Sequence, residues 1–128
     1  MNYRQLREAQ RRMDEVRRHL HTAILAEDTR DMAREAGVAQ TTAVQIDRTL
    51  EDQLQESRSP NWGEPSSRNV ELSLVEAARS SLDSGITCVQ RVELGNNVAE
   101  VREGLLDCKT YLDFADAYLQ AALGDEAV

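Results

Sequence analysis

The sequence predicts an all-α protein, an antiparallel four-helix bundle made of two helical hairpins. Apolar residues recur in alternating steps of three and four along four separate stretches, the spacing that puts them on one face of a helix. Helix breakers are confined: both prolines fall within 60–65. Aromatics are scarce at 4%, whereas Ala, Leu, Val, Arg, Glu and Gln abound, the balance of helices buried against helices.

The first seam reads Leu6, Ala9, Met13, Val16, Leu20, Ala23, and the second Met32, Ala36, Ala39, Ala43, Ile46, Leu50, Leu54. Between them Asp28 or Thr29 offers a side-chain oxygen to the free N–H groups of a new helix. The third seam is Leu72, Val75, Ala78, Leu82, Gly85, Val89, Val92, and the fourth Val98, Val101, Leu105, Cys108, Leu112, Ala115, Leu119, Ala122. Gly95 suits the left-handed residue after a helix, Asn97 to Glu100 resembles a capping box, and Gly124 closes the last helix. The stretch 57–67, rich in Ser, Pro and Gly, reads as a linker, with Ser66 or Ser67 as the next cap. The organisation expected is one domain over 1–128: a hairpin at 2–56, the linker at 57–67 and a hairpin at 68–123. Folding each hairpin on its turn pairs Leu20 with Ala36 and Ala9 with Ile46 in the first. In the second it pairs Val92 with Val98, Gly85 with Leu105, Leu82 with Cys108 and Ala78 with Leu112.

Charge narrows the function. Fifteen basic and 23 acidic residues give a net charge of −8, which argues against a general polyanion binder. Only residues 1–22 are locally basic, with Arg4, Arg7, Arg11, Arg12, Arg17 and Arg18. The simplest role for these is a solvated face bridging to acids on the second helix. No apolar run reaches membrane-spanning length and the amino terminus is charged from Arg4, so a cytoplasmic location is the expectation.

Catalytic and metal signatures are missing. His19 and His21 lie two apart, hence on different helix faces, and no Glu-x-x-His occurs. Cys88 and Cys108 make no metal-type pair, have no histidine nearby in sequence and lie on or beside the seams, so reduced core thiols are expected. No phosphate-binding glycine loop or Gly-x-Ser-x-Gly is present. The reading is of a non-enzymatic interaction protein without cofactor or metal: an adaptor, assembly factor or regulatory subunit.

The surface such a protein would use is suggested by aromatics. Tyr111, Phe114 and Tyr118 form a second apolar stripe on the fourth helix, making its face wider than one seam requires. In an antiparallel bundle Tyr3 and Trp62 should gather with this stripe at one pole, either capping the core or leaving an interface for a partner protein or a second copy.

One segment offers an alternative. Residues 32–50 carry Ala33, Gly37, Val38, Ala43 and Ile46 at spacings that resemble the helix-turn-helix of bacterial repressors. That resemblance implies a DNA-binding regulator whose second helix enters the major groove. Against it, Gln40–Gln53 holds Asp47, Glu51 and Asp52 beside Arg48 alone, which repels phosphate. The seam also runs through Gly37 without a change of phase, so a single helix over 29–56 is expected.

Overall fold

In the computed structural model, residues 2–57, 66–92 and 97–124 are described, Ser57 and 66–70 through their backbone alone. The described residues form four helices: α1 (Tyr3–Leu25), α2 (Thr29–Ser57), α3 (Ser66–Val92) and α4 (Val98–Leu123). Helix starts are chemically defined. Asn2 Oδ1 accepts from Gln5 N–H (3.2 Å), Asp28 Oδ1 from Asp31 N–H (2.8 Å) and Asn97 Oδ1 from Ala99 N–H (2.8 Å), each satisfying a donor with no partner inside its helix. Gly124 takes φ 55° at the end of α4, a left-handed backbone that glycine adopts without strain.

The seams become the core. Every residue of the first and second seams is buried, as are all of the fourth except Val98, which is half-buried and lies against them. In the third seam Val75, Ala78, Leu82, Gly85 and Val89 are buried and Leu72 and Val92 half-buried. Around the bundle α1 lies between α2 and α4, and α3 completes the square. Neighbours run antiparallel. His19 meets Glu35, Arg12 meets Gln45 and Asn2 meets Gln53 across α1 and α2. Arg17 meets Asp113 while Arg102 reaches Ile24 across α1 and α4.

Where α1 and α2 meet at the Asn2 end, the core admits one polar side chain. Gln53 is fully buried; its Oε1 accepts from Asn2 N–H at 2.7 Å and its Nε2 donates to Gln5 Oε1. A buried amide with both ends satisfied ties the register of the two helices to one setting, because sliding either would leave polar atoms orphaned.

Between α3 and α4 the register departs from the pairing around Gly95. Leu112 lies against Gly85, where the seams paired it with Ala78, and Val92 lies against Gly104, where they paired it with Val98. The displacement is about one heptad. Repeating seams mirror one another in several registers, and the choice falls where two glycines face bulky neighbours and let the backbones approach. Gly95 itself lies outside the described residues.

The helix-turn-helix does not form. Helix α2 is continuous through Gly37, and Ala33 and Val38, which that motif would bury, are exposed, while Ala43 and Ile46 face the bundle core.

The glycines give opposite expectations. A methyl at Gly37 meets nothing within 4 Å, so Gly37→Ala gains helix propensity without a clash and should stabilise the protein by about 0.5–1 kcal/mol. A methyl at Gly104 would run into a methyl of Val92, whose branched side chain is stiff, so Gly104→Ala should destabilise by about 1 kcal/mol despite the same propensity gain. Urea unfolding followed by circular dichroism reads both, and equal shifts of one sign would refute the close α3–α4 approach.

Candidate interaction surface

Helix α4 is held from two sides. Towards α1, Arg17 Nε donates to Asp113 Oδ1 at 2.9 Å and its Nη1 to Asp116 Oδ2 at 3.2 Å, while Arg102 donates to the carbonyls of Ile24 (2.8 Å) and Ala26 (3.1 Å). The Arg102 contacts satisfy carbonyls at the carboxyl end of α1 and set a cation against the negative end of its dipole. Towards α3, Gly85 and Gly104 bring the backbones together. These two attachments fix the roll of α4, and with it the sector that faces out.

That sector carries the aromatic stripe. Tyr111, Phe114 and Tyr118 are 41%, 53% and 37% exposed, in a protein whose seam side chains are nearly all hidden. The exposed positions Thr110, Tyr111, Phe114, Ala117, Tyr118 and Ala121 include no charge, although 30% of the chain is charged. Across from Thr110 and Tyr111 on α3 lie the small residues Ser80 and Ser84, with Asp83 beside them. Toward the amino end of α4 the same stripe continues through Asp107, Glu103 and Glu100, all exposed, so its apolar half abuts an acidic half. A groove of about 710 Å³ opens where the two halves meet, lined by residues that include Ser84, Cys88, Arg91, Asp107 and Tyr111.

Of the other two aromatics the described residues include Tyr3. Tyr3 is half-buried against the core and its hydroxyl donates to Glu71 Oε1 at 2.7 Å, so it closes the bundle end between α1 and α3. Trp62 lies outside the described residues. The basic face of α1 is partly engaged within the fold. Arg17 bridges to α4 and not to the second helix, Arg12 reaches Gln45 of α2, and Arg11 pairs with Glu8 at 3.4 Å.

No group of three His, Cys, Asp or Glu among the described residues is placed to hold a metal. His19 Nδ1 lies 2.9 Å from Glu35 Oε2, and His21 lines a shallow groove with Asp14, Arg17, Arg18 and Lys109. No helix among the described residues is long and apolar enough to cross a membrane. Both cysteines are free thiols, Cys108 buried and Cys88 half-buried. Burial, reinforced by the neighbouring Cys88 thiol, pushes the Cys108 thiol well above its ordinary range.

Comparison with protein-family models, with curated proteins and with solved structures returns no match to this chain. The acidic half of the stripe was open to sequence reading, since 100, 103, 107, 111, 114 and 118 keep the three–four spacing. It is easily passed over because a run of acids on a helix usually marks only a solvated face. The buried carboxylate of Asp116 carried no such signal.

Asp116 gives a pH prediction. It is only 4% exposed and its Oδ1 has no hydrogen-bond partner. Burial raises its carboxyl above the ordinary 3.8, with the Arg17 guanidinium opposing. Between 3.8 and the raised value the folded protein keeps a proton that the unfolded chain has released, so stability falls as pH rises through that window. Asp116→Asn should remove this slope, seen as a flatter plot of urea midpoint against pH. The thiols give another: under native conditions a maleimide should modify Cys88 well before Cys108, and equal rates would contradict the burial of Cys108.

Proposed function

We propose that this protein is a non-enzymatic helical-bundle interaction protein, an adaptor, assembly factor or regulatory subunit, working in the cytoplasm through protein–protein contacts and without a cofactor. The observation that carries the reading is the exposed, uncharged stripe of Tyr111, Phe114 and Tyr118 on α4. Aromatic side chains bring large apolar area at small entropy cost and, with arginine, are enriched among the residues that anchor interfaces. Leaving such rings in water costs stability that a bundle could have recovered by turning them inward, and the two flanks of α4 hold them out.

Magnitudes limit what the stripe does alone. The exposed parts of these rings amount to roughly 300 Å², against about 800 Å² per side for a stable interface. The stripe therefore serves as the centre of a contact, with Ala117, Ala121 and the small residues of α3 around it and polar groups at the rim. A second copy or a different protein can supply the opposing surface. Nucleic acid is the poorer partner: the net charge is −8, and the half-buried Arg17 is committed to Asp113 and Asp116.

The test is the double substitution Phe114→Ser with Tyr118→Glu. Both positions are exposed, so helicity and unfolding midpoint should change little. Self-association measured by sedimentation, or capture of a partner from the native host, should weaken at least tenfold. A parent that is strictly monomeric and captures nothing, together with a double variant that unfolds, would make the stripe part of the core and end the proposal.

A further inference from the structure

The chain has two cysteines and the fold puts them side by side. Their place in the α3–α4 packing is specific. One contact pairs Gly85 with Leu112 and another pairs Gly104 with Val92; Cys88 and Cys108 fall between these on their respective helices. Cys88 Sγ donates to the carbonyl of Gly104, 3.6 Å away and one turn before Cys108, and the Cys88 thiol is close enough to bear on the Cys108 thiol. The pair thus lies between two points where glycines let the helices approach. A disulfide needs a close approach, with Cα atoms about 4.4–6.8 Å apart.

Access is asymmetric. Cys108 is fully buried, whereas Cys88 forms part of the wall of the 710 Å³ groove beside Tyr111. A small oxidant can meet one sulfur while the other waits behind it.

We propose that Cys88 and Cys108 are a redox-responsive dithiol, reduced at rest and closed to an intramolecular disulfide by a hydroperoxide. The Cys88 thiolate attacks the peroxide oxygen and breaks the O–O bond, giving a sulfenic acid and releasing water or an alcohol. The Cys108 sulfur then attacks Cys88 Sγ, and the hydroxide expelled leaves as water with the Cys108 proton. Two thiols lose two electrons and two hydrogens while one peroxide is reduced. Burial raises the pKa of the Cys108 thiol, which slows the second step. Closure staples α3 to α4 behind the aromatic stripe and constrains the loop between the helices in the unfolded chain.

The experiment exposes the full-length protein to hydrogen peroxide under native conditions and maps its peptides without reduction. The expected result is a Cys88–Cys108 crosslink within one chain, a mass lower by two hydrogens, loss of both free thiols, and reversal by dithiothreitol. The oxidised form should melt higher by roughly 10 °C, a shift missing after the same treatment of Cys108→Ala. Cys108→Ser should stop at a Cys88 sulfenic acid that dimedone traps. The wild-type peptide map decides the matter even if a variant folds poorly. Oxidation that stops at Cys88 with Cys108 left as a thiol, or that yields only crosslinks between chains, overturns the proposal.

Discussion

The close approach of α3 and α4 at two glycines is the contact on which the rest of this surface depends. Gly85 has no side chain where Leu112 and the Cβ of Tyr111 come in, and Gly104 leaves room for Val92. An alanine seam would also pack, but with the axes further apart and with no reason to prefer one heptad over the next. The glycines break that degeneracy. Once Leu112 rests over Gly85, Tyr111 must lie along the outer edge of α3, Cys108 must come beside Cys88, and Phe114 and Tyr118 follow onto the outward stripe. One steric preference places the aromatics and the thiols together.

Electrostatics holds the opposite flank. Arg17 reaches Asp14, Asp113 and Asp116, and Lys109 adds a weaker contact to Asp113 at 3.7 Å. Exposed pairs of this kind contribute little individually. Asp116 differs because it is buried. Its carboxylate loses hydration and is only partly compensated, so this network costs some stability while restricting the rotation of α4. A better-packed apolar residue at 116 would remove the penalty and with it the anchor for Arg17. Arg79 makes a similar connection between α3 and α2, reaching Asp47 at 3.2 Å and Glu51 at 3.5 Å.

The helices and their buried faces were legible because apolar spacing has a physical cause visible in one dimension. Residues three and four apart share a face, and all of the first two seams are hidden. Caps were legible for the same reason: Asp28 and Asn97 act on N–H groups two or three residues away. Register between α3 and α4 was not, because periodic seams match at every heptad and the glycine that decides, Gly104, stands off the seam. The juxtaposition of Cys88 with Cys108 depends on that register, so seam pairing placed Leu82 opposite Cys108. Gln53 and Asp116 were illegible for a different reason. A polar residue next to a seam is normally solvent-facing, and only the positions of Asn2, Gln5 and Arg17 make their burial tolerable. The width of the apolar face on α4 could be read from sequence, whereas whether it would point in or out required both flanks of the helix.

Geometry also ties the outward stripe to the thiols. Tyr111 and Cys88 line the same groove, and Cys108 is one turn from Tyr111 and Leu112 on α4. Any change that draws the two helices together at Cys88 and Cys108 acts between the Gly85 and Gly104 contacts, where the backbones already have least room to move. Tyr111 sits at the rim of that contact, so it is the aromatic whose position responds most. Phe114 and Tyr118 lie further along the helix, outside the lining of that groove. The stripe thus has one end near the cysteine pair and another farther from it. A partner anchored mainly on Phe114 and Tyr118 would hardly sense the state of the thiols, whereas one that fills the groove beside Tyr111 would.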